Sequence, residues 1–413
     1  MKDKVFELIA KEEKRQEETL MMIPSENYTS SAVRKAVGSV LMHKYSEGYP
    51  GKRYYQGNKF IDEIENLAIE RAKKLFSVPY VNVQALSGAV ANSAVYFALL
   101  NPDDKIMGMA LSSGGHLTHS HPKITFSGKY FQPVQYNIGK DGWIDYKKVE
   151  ELAKKEKPKI IVCGYTAYPR IIDFEKFGKI ADKVGAYLLA DIAHIAGLVA
   201  GGVHPSPVAY VDVVTTTTHK TLRGPRGAII MITKKGLEKD SQMSQKIDRA
   251  VFPGLQGGPH DNQTAGIAVC LAEASTLSFK KYAAQIVKNA KALAGELKKY
   301  GFNLVTGGTD NHLILIDLRN KNIDGKKAAE ILEEAGIVVN KNTIPFDPNP
   351  PANPSGIRLG TPALTTRGMK EREMKLIASW INEILNVKCP TSNVQKIKKE
   401  VKKLCKNFPL PKN

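Results

Sequence analysis

The segment from residue 160 to residue 191 has the sequence IIVCGYTAYPRIIDFEKFGKIADKVGAYLLAD. Two apolar runs, Ile160 to Val162 and Tyr187 to Ala190, have the length and composition of buried strands. Between them, apolar side chains recur at helical spacing at Phe174, Phe177, Ile180, Ala181 and Val184. A strand, a helix and a strand in this order predict a crossover unit of an α/β sheet.

Other apolar runs extend this unit into a larger layer. Further strands are predicted at Val211 to Val214 and at Ala228 to Ile232, and residues Phe60 to Phe76 form an amphipathic helix that can dock on a sheet. The fold class is therefore predicted to be α/β, with a mostly parallel central sheet between helices. In such sheets the ligand site lies at the carboxyl ends of the strands.

After about residue 280 the pattern restarts with a lysine-rich helix, strands near residues 302–305 and 312–318, and helices at 326–334 and 370–385. The proline-rich segment 344–354 must be a loop, because proline lacks an amide donor and restricts its neighbour. In the tail an apolar stripe opposite the lysines predicts a packed helix with a solvated basic face, at Val394, Ile397, Val401 and Leu404.

The chain is long enough for two domains. We predict an N-terminal helical arm over residues 1–24, a large domain over residues 25–279 and a smaller α/β domain over residues 280–413, which ends in a basic helix. Hydrophobic residues at 42% and charged residues at 24% are typical of folded globular proteins.

Several classes of protein are disfavoured by composition. No apolar run approaches the roughly 20 residues of a membrane-spanning helix, and the first twenty residues have no apolar core of a secretory signal. The cysteines are widely spaced, which fits reduced thiols better than a zinc site or a disulfide framework: Cys163, Cys270, Cys389 and Cys405. We expect a cytoplasmic protein.

The formal net charge of +19 fits nucleic-acid binding, attraction of an anionic substrate or plain solubility. The segment from Lys388 to Asn413 contains eight lysines and one glutamate, so it carries seven of the surplus charges. A solvated helix face explains this tail most simply, and nucleic-acid binding is therefore disfavoured as the main function.

Two residues near predicted strand ends indicate a cofactor. Asp191 ends a strand and is followed by His194, although an aspartate in this position can also simply cap a turn. Lys220 follows a run of threonines and lies near Arg223 and Arg226, surroundings that favour the neutral amine that attacks an aldehyde. An aspartate at the pyridine nitrogen and a lysine Schiff base are the pair with which proteins make pyridoxal phosphate an electron sink.

A phosphate group of such a cofactor needs backbone donors. Leu86-Ser87-Gly88-Ala89 precedes a predicted helix over Val90 to Leu100 and offers amide groups at a helix N-terminus. By itself a serine followed by a glycine is more often a simple loop. Here it supplies a candidate phosphate site, which Asp191 and Lys220 do not provide.

The segment around Lys220, TTTTHKTLRGPRG from residue 215 to 227, resembles the cofactor-lysine signature of the serine hydroxymethyltransferases. Other motifs resemble that family in the same order: IPSENYTS at 23–30, KYSEGYPGKRYY at 44–55, GGHLTH at 114–119, FPG at 252–254 and SGIRLGTP at 355–362. The resemblance extends from about Ser25 to Arg372.

The resemblance implies the aspartate-aminotransferase fold and an obligate homodimer with shared active sites, or a tetramer built from such dimers. It also implies roles for individual residues. Lys220, Glu47, His219 and Tyr55 are the expected catalytic residues. The expected pyridoxal-phosphate contacts are Ser87, Gly88, Ala89, His116, Thr166, Asp191, His194, His219 and Lys220, with Tyr45, Gly257 and Gly258 expected across the dimer interface.

The substrates that the resemblance implies are serine, glycine and a reduced pterin, either tetrahydrofolate or tetrahydromethanopterin. Arg358 is expected to bind the amino-acid carboxylate, for which a planar two-pronged donor is suited. The other expected substrate contacts are Ser25, Glu47 and Tyr55, and the expected pterin contacts are Leu111, Gly114, Gly115 and Asn342. The histidine-rich run from His116 to His121 is not expected to bind a metal.

The sequence departs from the family pattern at the phosphate site. Ala89 replaces a second hydroxyl, and Leu255 and His260 differ from the commonest form of the Phe252 to Pro259 loop. A pterin-independent aldolase for β-hydroxy amino acids is the nearest alternative function, and a basic nucleic-acid-binding protein is the remote one.

Overall fold

A computed structural model describes residues 3–385 and 391–411 of the chain. Two compact units are present. The larger unit comprises Thr29–Thr166 and Ile171–Ala283, and the smaller unit comprises Met1–Tyr28, Ala167–Arg170 and Ala284–Asn413. The domain limits predicted from the sequence, after residues 24 and 279, stay a prediction.

The strands are β1 (Leu20–Met21), β2 (Gly48–Tyr49), β3 (Lys52–Arg53), β4 (Tyr80–Asn82), β5 (Lys105–Met109), β6 (Gln132–Tyr136), β7 (Ile160–Cys163), β8 (Tyr187–Asp191), β9 (Val213–Thr217), β10 (Ala228–Ile232), β11 (Asn303–Leu304), β12 (Leu313–Asp317), β13 (Ile337–Val338), β14 (Asn340–Asn342) and β15 (Gly356–Gly360). The helices are α1 (Lys4–Glu18), α2 (Ser31–Val37), α3 (Lys59–Phe76), α4 (Gly88–Leu99), α5 (Phe126–Tyr130), α6 (Tyr146–Glu156), α7 (Phe174–Val184), α8 (Ala196–Ala200), α9 (Lys234–Lys239), α10 (Met243–Arg249), α11 (Asp261–Ala274), α12 (Leu277–Lys299), α13 (Gly325–Glu334), α14 (Pro362–Thr366), α15 (Glu371–Ile384) and α16 (Thr391–Asn407).

The larger unit is built on a sheet whose described strands have the order β4-β10-β9-β8-β7-β5-β6. The pairs β5–β6, β5–β7, β7–β8 and β8–β9 are parallel, and β10 is antiparallel to both of its neighbours. The prediction of a mostly parallel α/β sheet is confirmed. Because β8 and β9 are adjacent and parallel, their carboxyl ends lie at the same edge of the sheet.

The crossover between β7 and β8 forms where the sequence predicts it. The Asp173 side chain caps helix α7 by accepting a hydrogen bond from the Lys176 amide, and Gly185 ends the helix in the left-handed conformation. Phe174 and Phe177 on the apolar face are buried, and full burial of one such side chain contributes about 1.5–3 kcal/mol. Capping and burial therefore favour the same helix.

The predicted strand at Val211 to Val214 was misplaced. Strand β9 runs from Val213 to Thr217, so the threonine run belongs to the sheet. Asp212 is excluded from the strand and its buried carboxylate accepts hydrogen bonds from the Leu188 amide and the Lys239 ammonium group. The error arose because four threonines suggest a loop, whereas their β-branched side chains also suit a buried strand.

The smaller unit contains an antiparallel sheet with the order β11-β12-β15-β14. Its core includes the apolar stripe predicted for the tail, since Val394, Ile397, Val401 and Leu404 are all buried on α16. The proline-rich segment forms a loop between β14 and β15, as predicted. Lys388, Cys389 and Lys412 of the basic tail lie outside the described residues.

One buried arginine in the smaller unit donates hydrogen bonds to the ends of two helices. The Arg367 guanidinium donates hydrogen bonds to the carbonyls of Gln16, Glu17 and Thr19 at the end of α1. It also donates to the carbonyls of Cys405 and Phe408 at the end of α16. Helix C-termini leave carbonyls without intrahelical partners, and a cation is favoured there.

Candidate functional site

Asp191 and Lys220 follow neighbouring strands of the larger unit. Asp191 is the last residue of β8, as predicted, and its Cα is paired with that of Thr215 in β9. Lys220 lies three residues after the end of β9, in the turn that leads to β10. The sheet therefore presents both residues at the edge where open α/β folds bind ligands.

The Asp191 carboxylate is surrounded by donors. His119 Nε2 is 3.0 Å from Oδ2, Asn92 Nδ2 donates to the same oxygen at 2.9 Å, and the Ala193 amide donates to Oδ1 at 3.1 Å. Burial by itself raises the pKa of Asp191, but the hydrogen bond from His119, the electrostatic interactions with His119 and His116 and the bond from Asn92 hold it well below its usual range. The carboxylate is therefore ionised at neutral pH.

The donors to Asp191 are themselves fixed. The His116 amide donates to His119 Nδ1 at 3.3 Å, which leaves Nε2 of His119 as the protonated nitrogen that faces Asp191. Asn92 accepts a hydrogen bond from Thr215 Oγ1 at 2.7 Å and donates to Thr118 Oγ1 at 2.8 Å. Sequence reasoning missed the roles of Asn92 and His119, although His119 ends a motif that was noticed.

The turn that carries Lys220 is closed by hydrogen bonds at both ends. The Thr218 amide donates to the Gly227 carbonyl at 3.1 Å, and the Arg223 amide donates to the Lys220 carbonyl at 3.1 Å. Thr221 Oγ1 donates to the His194 carbonyl at 3.0 Å and accepts from the Gly197 amide at 2.9 Å. The Lys220 turn is therefore bonded to the segment that follows Asp191 and contains His194.

His219 combines burial with a polar atom that has no partner. Burial lowers the pKa of its imidazole to about 3, and the charges of Lys220 and Arg226 act in the same direction. Its Nδ1 is buried and has no hydrogen-bond partner among the described residues. A neutral ring with an unused buried nitrogen is suited to receive a ligand group.

Helix α4 begins at Gly88, two residues earlier than predicted, so Ser87 is its N-cap residue. The Ser87 hydroxyl accepts a hydrogen bond from the Val90 amide. The amide groups at the start of a helix favour an anion. A Cβ atom added at Gly88 would lie 2.7 Å from Thr217 Cγ2, so only glycine fits between this helix start and β9. Ala89 is exposed at the same turn.

The predicted pterin contacts of the larger unit meet the predicted cofactor contact Thr166. The Thr166 amide donates to the Gly114 carbonyl at 2.8 Å, and its hydroxyl donates to the Gly115 carbonyl at 2.9 Å. A Cβ at Gly115 would lie 2.0 Å from the Met109 carbonyl oxygen, which makes glycine necessary there. Leu111 begins the short 3-10 helix that leads into these glycines.

A second group of predicted residues, Tyr45, Glu47, Tyr55, Gly257 and Gly258, is called the Glu47 cluster here. The rings of Tyr45 and Tyr55 meet edge to face with centroids 5.6 Å apart, and the two side chains are 60% and 48% exposed. Side chains added at Gly257 and Gly258 would meet Glu47 Oε1 at 3.4 Å and Tyr45 Cε1 at 3.3 Å. The structure thus brings together residues that lie more than 200 positions apart in the sequence.

The smaller unit holds the remaining predicted residues. Arg358 lies on β15, and its Nε donates to Asn340 Oδ1 at 3.2 Å. Burial lowers the pKa of its guanidinium to about 10, so the group stays charged at neutral pH. Asn342 lies on the adjacent strand β14, which pairs with β15.

Ser25 is half-buried and lies in the same unit as Arg358. The preceding residue, Pro24, lies against Gly360 two positions after Arg358, because a Cβ at Gly360 would meet Pro24 Cα at 2.6 Å. The Gly360 amide also donates to the Met22 carbonyl at 2.7 Å. The chain before Ser25 is therefore fixed to the end of the strand that carries Arg358.

Within residues 3–385 and 391–411, no group of three or more His, Cys, Asp or Glu side chains is arranged to hold a metal ion. None of the helices in the described part of the chain is both long and apolar enough to cross a membrane.

Comparison with known proteins identifies the family of this chain. The family model described as "Serine hydroxymethyltransferase" matches residues 1–381. The serine hydroxymethyltransferase of Desulfotalea psychrophila is 56% identical over 407 residues, covering 98% of this chain and 94% of that protein. That of Acidothermus cellulolyticus is 55% identical over 414 residues, covering 98% and 95%. The chain belongs to the serine hydroxymethyltransferase family.

Proposed function

We propose that this chain transfers the hydroxymethyl carbon of serine reversibly to a reduced pterin, with glycine as the other product. The observation that carries the proposal is the Asp191 carboxylate at the end of β8, surrounded by His119, Asn92 and the Ala193 amide and beside the strand that leads to Lys220. A pterin-independent aldolase and a nucleic-acid-binding protein are not favoured by the family relationship.

The residues present fit pyridoxal phosphate as the cofactor. The lowered pKa of Asp191 suits it to a protonated ring nitrogen, and the buried Nδ1 of His219 has no hydrogen-bond partner among the described residues. Gly88 has no space for a side chain at a helix start that favours a phosphate. When bound, pyridoxal phosphate supplies an electron sink for negative charge at the α-carbon of the amino acid.

Each part of the cofactor has candidate residues to hold it. We propose that Lys220 holds it through the side-chain nitrogen, that Asp191 accepts a hydrogen bond from the ring nitrogen, and that His116 covers the ring. The phosphate is assigned to the Ser87 hydroxyl and the amides of Gly88 and Ala89. A backbone amide at Ala89 can replace the hydroxyl that the family pattern has at this position. Thr166, His194 and His219 complete the proposed cofactor pocket.

The substrate needs a carboxylate site and a proton acceptor. We assign the carboxylate to Arg358, whose planar guanidinium can donate two parallel hydrogen bonds, with Ser25 as a second polar contact. Glu47 is assigned the proton transfer at the substrate hydroxyl, with Tyr55 beside it in the Glu47 cluster. Leu111, Gly114, Gly115 and Asn342 are proposed to contact the pterin, either tetrahydrofolate or tetrahydromethanopterin.

We further propose a homodimer in which the Glu47 cluster serves the partner's site. Large apolar side chains are exposed near that cluster in the sequence, including Val40, Met42, Tyr54 and Phe60, whose exposed fractions reach 75%. An apolar surface of this kind is favoured at a subunit interface. The same proposal includes pairing of such dimers into tetramers.

A cytoplasmic location is proposed because the described cysteines are free thiols.

An absorption titration tests the function. The purified protein is mixed with pyridoxal phosphate, then with glycine, and then with tetrahydrofolate. We expect the cofactor band to shift strongly to longer wavelength only when glycine and the pterin are both present. A protein that attaches the cofactor but does not respond to tetrahydrofolate would be an aldolase or a tetrahydromethanopterin-dependent enzyme, and absence of attachment would refute the cofactor assignment.

A further inference from the structure

Arg53 ends the β2–β3 hairpin, which begins directly after Glu47, and it makes contacts that no catalytic role requires. We infer that Arg53 is a positioning residue that fixes the main chain on both sides of Glu47. The inference rests on the proposed role of Glu47 in proton transfer.

Every nitrogen of the Arg53 guanidinium is used. Nη1 donates to the Ser46 carbonyl at 2.7 Å and to the Gly48 carbonyl at 2.8 Å, the two residues that flank Glu47. Nε pairs with Asp62 Oδ1 at 2.8 Å, and Nη2 pairs with Glu65 Oε2 at 2.6 Å. Because only 4% of the side chain is exposed, water competes little for these bonds.

The two carboxylates anchor Arg53 to a rigid element. Asp62 and Glu65 lie on α3, three residues apart on one face, and the Glu65 side chain is only 2% exposed. Gln84 Nε2 donates both to Glu65 Oε1 at 2.8 Å and to the Gly48 carbonyl at 3.0 Å. The segment that carries Glu47 is thus bonded to α3 through Arg53 and to the segment after β4 through Gln84.

The backbone conformation at Gly48 explains why other residues must hold the main chain of residues 46–48. Gly48 has a φ of +96°, and a Cβ there would lie 2.3 Å from the Lys52 carbonyl oxygen, so the turn tolerates no side chain that could brace it. Ser46 Oγ donates to Asp261 Oδ1 at 2.6 Å, and the Tyr54 amide donates to the Glu47 carbonyl at 3.0 Å. The bonds thus hold the main chain around Glu47.

The chemistry explains why arginine is needed. A lysine at position 53 keeps the positive charge beside Asp62 and Glu65, but a single ammonium group cannot bond to two carboxylates on α3 and to the two carbonyls that flank Glu47 at once. Arg53→Lys should therefore preserve the fold better than a neutral substitution while loosening the segment around Glu47. Displacement of a catalytic group by about 1 Å can cost on the order of a hundredfold in rate.

The experiment is a double-mutant cycle with Arg53→Lys, Glu47→Gln and the double variant, measured with serine, tetrahydrofolate and added pyridoxal phosphate. Lys52→Met is the matched control, because Lys52 is the exposed neighbour in the same strand. We expect Arg53→Lys to lower kcat by about tenfold to a hundredfold with KM for serine changed less than about twofold. The double variant should be no slower than Glu47→Gln alone.

Multiplication of the two single losses in the double variant would overturn the inference, as would wild-type kcat in Arg53→Lys. If Arg53→Lys fails to attach the cofactor, Asp62→Asn takes its place in the cycle with the same expectation, since it weakens the bond at Nε. A crystal structure decides without turnover: unchanged main-chain positions at residues 46–48 in Arg53→Lys would overturn the inference. A wild-type protein that cannot convert serine would refute the proposed function instead.

Discussion

Replacing His119 with phenylalanine removes the ring nitrogen that lies 3.0 Å from Asp191 and keeps a ring of similar size in a position that is only 1% exposed. Asp191 then retains Asn92 and the Ala193 amide as donors. A hydrogen bond to a charged group contributes about 1.5–3 kcal/mol, so affinity for pyridoxal phosphate should fall about tenfold to a hundredfold at pH 7.

The same variant should also shift the pH dependence of cofactor affinity in a defined direction. His119 helps to hold the pKa of Asp191 below its usual range, and without it burial raises that pKa. Since the carboxylate is present above its pKa, the variant should lose cofactor affinity at a higher pH than the wild type as the solution is acidified. Fluorescence titrations with pyridoxal phosphate at a series of pH values from 8 to 5 measure both the affinity at pH 7 and the pH at which affinity is lost.

His121→Phe is the matched control, because it makes the same substitution two positions along the chain. The bond that Thr125 Oγ1 donates to His121 goes to the backbone carbonyl and does not need the imidazole. It should bind the cofactor as the wild type does. Wild-type affinity in His119→Phe across the whole pH range would refute the reasoning that His119 maintains the Asp191 carboxylate.

Three further predictions follow from single side chains. Arg358→Lys should raise KM for serine by about tenfold to a hundredfold, because one ammonium group cannot donate the parallel pair of bonds; an unchanged KM in steady-state assays would contradict this. Arg367→Met should lower the free energy of unfolding by roughly 3 kcal/mol in urea titrations, since buried carbonyls at two helix ends lose their donor, and a loss indistinguishable from zero would be inconsistent with the bonds described. The lowered pKa of His219 means that unfolding takes up a proton below pH 6.5, so stability is retained above that pH and falls as the pH drops toward 3. Between pH 7 and pH 5 the wild type should lose about 2 kcal/mol more than His219→Gln, and equal losses would be evidence against the burial of a neutral imidazole.

Local patterns in the sequence predict much of the fold. The strand and helix pattern around Phe177 is strong because burial, capping at Asp173 and termination at Gly185 all favour the same boundaries. The position of Asp191 at a strand end follows from the same pattern. The start of β9 was misplaced because the sequence does not reveal that Asp212 bonds to the Leu188 amide outside the strand.

The surroundings of the candidate site are harder to predict, because they depend on contacts between distant segments. Asn92 and His119 are 99 and 72 residues from Asp191, and no periodicity links them to it. The contact between Gly258 and Tyr45 likewise joins segments that only the folded chain brings together. Sequence therefore predicts candidate reacting groups such as Asp191 and Lys220, whereas the residues that contact Asp191 are found only in the structure.

The most direct test of the central claim is the rate at which serine is converted to glycine by the wild type and by Lys220→Ala, each with pyridoxal phosphate and with or without tetrahydrofolate or tetrahydromethanopterin. We predict rapid conversion by the wild type that depends on one of these pterins, and no turnover by Lys220→Ala. Substantial turnover by Lys220→Ala, or wild-type conversion that neither pterin stimulates, would contradict the account.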